Sequence, residues 1–192
     1  MAADPAPRIT GVILAGGLAR RMGGLAKGLQ RHAGRPLIAH VIERLQPQVG
    51  TLLLNVNQEQ AAHQAFGLPL VTDRIADHPG PLAGLHAALA VATTPWVLSV
   101  PCDSPQLPAD LARRLLAAAE AGHRPLAIAW AGERAHPVFC LCHVSLRDPL
   151  ADFLKAGGRR VMQWCDDWQA ARAEFPDADA FANFNTLADL AP

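Results

Sequence analysis

The sequence of 192 residues contains no tyrosine, no long hydrophobic run and no excess of charge of either sign. Lysine plus arginine and aspartate plus glutamate each total 17, so no overall field favours nucleic acid or an anionic membrane. No apolar run approaches the roughly 18 residues of a membrane-spanning helix. The opening MAADPAPR lacks the basic start and apolar stretch of a signal peptide. We therefore expect a cytoplasmic protein that binds neither membrane nor nucleic acid, with residues 1–8 as a disordered lead.

Common metal and redox motifs are also missing. The four cysteines form no CxxC pair, and the eight histidines contain no HExxH motif. We interpret the cysteines as buried free thiols of a reduced compartment, with metal or redox chemistry as the open alternative. They are Cys102, Cys140, Cys142 and Cys165.

What the sequence does have is an alternation of apolar runs and stretches with helical spacing. Four continuous apolar runs occur, at 9–15, 51–55, 68–72 and 96–100. Because such runs are typical of strands buried on both faces, we predict an α/β fold with a Rossmann-like open, mostly parallel sheet and helices on both faces. The C-terminal part is less regular, with strands expected at 126–130 and 138–142 and a turn at 133–134. One domain is expected over residues 9–192.

Each of the four apolar runs ends in, or is closely followed by, a glycine, amide or carboxylate. These residues are Gly16 and Gly17, then Asn55, Asp73 and Asp103. Ligands of open parallel sheets bind at the carboxyl ends of the strands. Any one of these residues has an ordinary explanation as a turn former or helix cap. Four polar strand ends in succession nevertheless favour one shared crevice.

The stretch ILAGGLARRMGGLAKG, residues 13–28, fits neither the Walker loop nor the dinucleotide fingerprint GxGxxG. Its glycines let backbone amides approach anionic oxygens, while Arg20, Arg21 and Lys27 add positive charge. Asp103 is a suitable ligand for Mg²⁺, which takes one or two carboxylates and fills its shell with water and phosphate oxygens. Together these residues predict phosphate chemistry on a nucleotide.

The same residues carry a resemblance. Leu14-Ala15-Gly16-Gly17, then Arg21-Met22-Gly23 and Lys27, resemble the LAGGxxxRMGxxK signature of nucleotidyltransferases with a Rossmann-like fold. Three further stretches, at 80–84, 101–105 and 181–186, are similar to the molybdenum cofactor guanylyltransferases within that group. The sequence departs from many relatives at Ala26, where they carry aspartate before the lysine.

The resemblance implies that GMP is transferred from GTP to the terminal phosphate of molybdenum-bearing molybdopterin, with release of pyrophosphate. It implies GTP contacts at Leu14, Ala15, Gly16, Gly17, Lys27, Asn55, Asp73 and Asp103. Catalytic roles fall to Arg21, Lys27 and Asp103, with Asp103 as the ligand of Mg²⁺ or of Mn²⁺ as a substitute. Residues on the pterin side would be Gly84, Arg159, Arg160, Asn183 and Asn185.

The resemblance also divides the chain into two functional halves. Residues 9–105 would mainly bind GTP and residues 106–192 would mainly bind the pterin acceptor. Other cofactor-biosynthesis proteins and the acceptor molybdoenzymes or their chaperones are the expected protein partners.

Other functions fit the same residues. A molybdopterin cytidylyltransferase or a sugar-phosphate nucleotidyltransferase would use the same chemistry, and nucleotide preference would separate them. A non-catalytic carrier of the nucleotide or the molybdenum cofactor would not need Lys27 and Asp103, which are both present. A purely structural α/β domain would leave the glycine- and arginine-rich loop unexplained.

Overall fold

A seven-stranded mixed sheet forms the centre of the computed structural model, which describes residues 5–16, 26–75 and 80–184. The strands are β1 (Ile9–Leu14), β2 (Arg31–His32), β3 (Arg35–Pro36), β4 (Thr51–Asn55), β5 (Leu70–Val71), β6 (Trp96–Pro101), β7 (Leu126–Ala131), β8 (Arg134–His143) and β9 (Ala171–Phe175). The helices are α1 (Leu37–Leu45), α2 (Gln60–Gln64), α3 (Pro81–Leu89), α4 (Leu111–Ala121), α5 (Arg147–Lys155) and α6 (Val161–Asp167). The large sheet has the order β5-β4-β1-β6-β8-β7-β9, and β2 and β3 form a separate hairpin.

Strand β1 lies in the middle of the parallel part of the sheet. It pairs in parallel with β4 on one side and β6 on the other, and β5 extends the sheet beyond β4. A strand in this position is covered by helices on both faces, which explains why five of its six residues are buried. The predicted α/β class with a mostly parallel sheet is confirmed.

Helices cover both faces of the sheet. On one face, α1 and α4 bury residues such as Leu45 and Leu115 against β1 and its neighbours. On the other face, α3, α5 and α6 bury Leu85, Leu150 and Trp164. Helix α3 packs between β1 and α5, and all of its residues from Leu82 onward are buried, in keeping with its apolar sequence. None of the helices in the described ranges is long and apolar enough to cross a membrane.

The C-terminal strands are longer than predicted and include both antiparallel and parallel pairs. Strand β8 runs antiparallel to both β6 and β7, whereas β9 runs parallel to β7. The turn predicted at 133–134 was wrong by one residue, because Arg134 already belongs to β8. The strand predicted at 138–142 also begins earlier than expected. Pro137, which has no N–H to donate, lies where the pairing of β8 with β7 shifts register after Ile128.

The end of the predicted lead is ordered. Ala6–Arg8 forms one turn of 3-10 helix, and Arg8 forms an ion pair with Glu120 of α4, with 2.8 Å between Nη1 and Oε1. This part of the predicted lead therefore has a defined structure. The division into GTP-binding and pterin-binding halves stays a prediction.

Candidate active site

The carboxyl ends of three parallel strands meet at one edge of the sheet. Leu14 at the end of β1 lies opposite Asn55 of β4 and Pro101 of β6. The backbone continues this pairing past the strand ends, where Ala15 N donates to Asn55 O over 2.9 Å and Cys102 N donates to Leu14 O over 3.3 Å. The register therefore brings the residues that follow β1, β4 and β6 together at this edge of the sheet, which we call the crevice.

Lys27 and Asp103 form an ion pair in this crevice. Lys27 begins a 3-10 turn, and its Nζ donates to Asp103 Oδ2, although 76 residues separate them in sequence. The Asp103 side chain is 10% exposed and the Lys27 side chain 28%, so the pair is only partly accessible to solvent. A carboxylate and an ammonium group are thus held together where a phosphate chain and its cation would lie.

Two asparagines, Asn55 and Asn57, hold the carboxylate of Asp73 near the carboxyl end of β4. Asn55 Nδ2 donates to Asp73 Oδ1 over 2.9 Å, and Asn57 Nδ2 donates to Asp73 Oδ2 over 2.8 Å. The backbone N of Asp73 donates in return to Asn57 Oδ1 over 3.0 Å. Both carboxylate oxygens of Asp73 are therefore fixed in direction.

Gly84 supports this network from α3. A Cβ atom at Gly84 would lie 2.4 Å from Asn55 Oδ1 and 2.7 Å from Leu14 Cδ2. Only glycine therefore allows α3 to approach the buried amide of Asn55 this closely. The structure gives Gly84 a packing role next to the crevice, and the predicted pterin contact remains untested.

The C-terminal segment reaches the same crevice. Phe184 N donates to Asp103 O over 2.9 Å, and the hydroxyl of the fully buried Ser104 donates to Asn183 Oδ1 over 2.7 Å. Asn183 therefore lies beside Ser104, next to Asp103, and its contact with the pterin stays a prediction.

Arg159 and Arg160 lie between α5 and α6. Arg159 Nη1 donates to the backbone oxygens of Leu154 and Gly158, over 3.1 Å and 2.7 Å, and so stabilises the end of α5. Arg160 immediately precedes α6. The assignment of Arg159 and Arg160 to the pterin side stays a prediction.

The cysteine beside Asp103 is chemically inert. Burial raises the pKa of the Cys102 thiol to about 12, and the neighbouring Asp103 carboxylate adds to this effect. The thiol therefore stays neutral at physiological pH and is unsuited to act as a nucleophile. All four cysteines are free and buried, as predicted.

Three of the predicted site residues, Gly17, Arg21 and Asn185, lie outside the described residues. The same is true of Arg20, Met22 and Gly23 of the glycine-rich signature.

Sequence reasoning missed Asn57. Its signal was available, because residues two apart at the end of a strand point to the same side, and Asn57 follows Asn55 by two positions. It also missed the contact between Ser104 and Asn183, which no local pattern indicates.

Comparison with known proteins decides the family. Residues 11–172 match the family model described as MobA-like NTP transferase domain. A molybdenum cofactor guanylyltransferase of Cupriavidus necator is 49% identical over 187 residues, covering 95% of this chain and 94% of that protein. The chain belongs to the molybdenum cofactor guanylyltransferases. It is a nucleotidyltransferase of molybdenum cofactor biosynthesis, and the predicted family and activity are confirmed.

Solved structures share its fold. Molybdopterin-guanine dinucleotide biosynthesis protein A of Archaeoglobus fulgidus superposes with a TM-score of 0.74 at 21% identity, covering 94% of both chains. A Mycobacterium tuberculosis H37Rv protein solved in complex with manganese superposes with a TM-score of 0.68 at 17% identity, covering 96% of both chains. At these identities the likeness concerns the fold alone.

Proposed function

We propose that guanylyl transfer takes place in the crevice formed by Lys27, Asp73 and Asp103. GTP is the donor and molybdenum-bearing molybdopterin the acceptor. GMP passes to the terminal phosphate of the pterin, and pyrophosphate leaves. The observation that carries this assignment is the Lys27–Asp103 ion pair at the carboxyl ends of β1 and β6. It supplies a cation for a triphosphate directly beside an oxygen ligand for a divalent metal ion.

The charges of the reactants indicate the mechanism. The pterin phosphate is already an anion, so its oxygen needs no strong base before it attacks the α-phosphorus of GTP. The obstacle is repulsion between two anions and the charge that develops on pyrophosphate. Lys27, together with Arg21, would neutralise that charge, so catalysis rests on positioning and electrostatics.

The glycine-rich loop contributes backbone groups in this proposal. Ala15 N is already bonded to Asn55 O, so it serves the strand end rather than a phosphate. We therefore assign phosphate contacts of the loop to Gly16 and the residues that follow it. Leu14 and Ala15 would border the nucleotide through their remaining backbone groups.

The donor set fits Mg²⁺ that arrives with the nucleotide. Within the described ranges, no group of three or more His, Cys, Asp or Glu side chains could hold a metal ion by itself. Asp103 offers one carboxylate, and Mg²⁺ commonly combines one or two carboxylates with phosphate oxygens and water. Bound there, Mg²⁺ or Mn²⁺ would neutralise part of the triphosphate charge.

Asn55 and Asp73 are suited to read guanine. The guanine edge presents a ring N–H and an amino group beside a carbonyl oxygen, and a carboxylate and an amide complement these groups. Asn55 itself is 3% exposed, so its amide has a fixed direction.

The acceptor would bind on the side of Asn183, where the C-terminal segment meets Asp103. Asn185, Gly84, Arg159 and Arg160 are assigned to the same side. The proposed protein partners are other cofactor-biosynthesis proteins and the molybdoenzymes, or their chaperones, that receive the product. The cytoplasmic location expected from the sequence stays a prediction.

Calorimetry with GTP, CTP, ATP and UTP, each with Mg²⁺, tests the donor site. We expect selective binding of GTP by the wild-type protein and its loss in Asp103→Ala. Asp152→Ala is the matched control, because the Asp152 side chain is 80% exposed and lies on α5. Preference for CTP would refute the guanine assignment, and unchanged metal-dependent binding by Asp103→Ala would refute the metal ligand.

A further inference from the structure

Asn57 makes two hydrogen bonds with Asp73 through its side chain, whereas Asn55 makes one. The Asn57 amide nitrogen donates to one carboxylate oxygen over 2.8 Å, and its amide oxygen accepts from the Asp73 backbone N over 3.0 Å. Both functions of the Asn57 side chain are thus used on a single residue. Asn57 itself is exposed, so burial does not hold its side chain in place.

Asp73 needs such support because the backbone around it is weakly anchored. It lies two residues beyond β5, a strand of two residues at the edge of the sheet. Strand β5 pairs with β4 only at Leu70 and Val71. The side-chain hydrogen bonds from Asn55 and Asn57 therefore restrain the carboxylate directly.

The two amides act on different oxygens. Asn55 Nδ2 holds Oδ1 over 2.9 Å and Asn57 Nδ2 holds Oδ2 over 2.8 Å. A carboxylate held at both oxygens cannot rotate freely, so its remaining lone pairs point in fixed directions. Such a carboxylate accepts from donors placed at one angle and rejects a base that lacks them.

Asn57 also lies against Gly16 of the glycine-rich loop. A Cβ atom at Gly16 would lie 2.6 Å from Asn57 Nδ2 and 3.1 Å from Asn55 Oδ1. Gly16, the first glycine of the glycine-rich loop, is therefore packed directly against the two amides that hold Asp73.

We propose that Asn57 is a positioning residue that orients Asp73 and thereby sets the preference for guanine. The inference rests on the proposed role of Asp73 in reading the base. Asn57 acts through Asp73 and need not touch the nucleotide itself.

The test measures affinities for GTP and ITP, which lacks the 2-amino group of guanine, with Mg²⁺ present. Four proteins are compared: the wild type, Asn57→Ala, Asp73→Ala and the double variant. We expect Asn57→Ala to weaken GTP binding about tenfold, in the range for a hydrogen bond to a charged group. ITP should lose about twofold or less, because its base lacks one of the donors, so the preference for GTP should shrink.

The double variant separates positioning from independent binding. If Asn57 acts through Asp73, adding Asn57→Ala to Asp73→Ala should change the affinity for GTP by less than about twofold. Full additivity of the two losses would overturn the proposal, and so would equal losses for GTP and ITP in Asn57→Ala. Gln58→Ala, at the exposed neighbouring position, is the control and should match the wild type.

One further measurement, together with the result for the wild type, keeps the outcomes distinct. The melting temperature of Asn57→Ala should stay close to that of the wild type, because the side chain is exposed. A wild-type protein that binds no GTP would refute the proposed function itself. A wild-type protein that prefers GTP, with an Asn57→Ala variant of the same preference, would refute only the role of Asn57.

Discussion

Replacing Lys27 by alanine should change two affinities in opposite directions. In the structure the Lys27 ammonium group is paired with the carboxylate of Asp103, which we assign as the ligand of the metal ion. Its removal should therefore strengthen binding of Mn²⁺ alone to Asp103. The same change removes a cation that faces the triphosphate, so binding and turnover of GTP should weaken.

The magnitude follows from the burial of the pair. Two unit charges about 4 Å apart interact by about 4 kcal/mol at an effective dielectric constant of about 20, and by about 1 kcal/mol in water. The side chains are 28% and 10% exposed, which places the pair between these limits. We expect Mn²⁺ alone to bind about tenfold more tightly to Lys27→Ala, which corresponds to about 1.4 kcal/mol. Turnover should fall by about 10²–10³, the effect of removing one preorganised charge-stabilising donor.

Two assays check these effects. Electron paramagnetic resonance of free Mn²⁺ measures metal binding without nucleotide, and release of pyrophosphate from GTP in the presence of the pterin acceptor measures turnover. Lys155→Ala is the matched control, because the Lys155 side chain is 68% exposed and lies 3.8 Å from Asp152 on the surface of α5. It should leave both quantities unchanged.

One pattern would refute the reasoning about Lys27. If Lys27→Ala bound Mn²⁺ no better than the wild type and kept near-normal turnover, the ammonium group would neither compete with the metal nor serve the phosphates. The Lys27–Asp103 pair would then be a structural contact.

Three further predictions concern packing and titration. Gly84→Ala should lower both the stability of the protein and its affinity for GTP, although alanine has the better helix propensity. The reason is that its Cβ would lie 2.4 Å from Asn55 Oδ1. A more stable variant with normal GTP binding would contradict this prediction. Burial, and after it the charge of Arg74, lowers the pKa of His86. Below about pH 6.5 the unfolded chain therefore binds more protons than the folded protein, and the free energy of unfolding should fall on acidification. Urea titrations at several pH values should show a weaker pH dependence of this free energy for His86→Gln. The Cys102 thiol, with its pKa raised to about 12, should react with a thiol reagent only after unfolding, and rapid labelling of the native protein would refute its burial.

The fold class could be read from local patterns. Continuous apolar runs such as that of β1 indicate strands that are buried on both faces of a sheet. Such a run can be recognised from the local sequence alone. The sequence predicted a turn between β7 and β8 but not the position of β8 between β6 and β7, because strand order depends on which neighbours the strand meets in the assembled sheet.

The sequence by itself determined which residue types end the parallel strands, and this was enough to predict a nucleotide site. Only the tertiary structure decided which of these residues touch. Lys27 meets Asp103 across 76 positions because β1 and β6 are neighbours in the sheet. Asn57 reaches Asp73 because β4 and β5 are parallel and in register. Local sequence carries propensity and burial, whereas such contacts depend on strand order and register, which arise only when the whole sheet assembles.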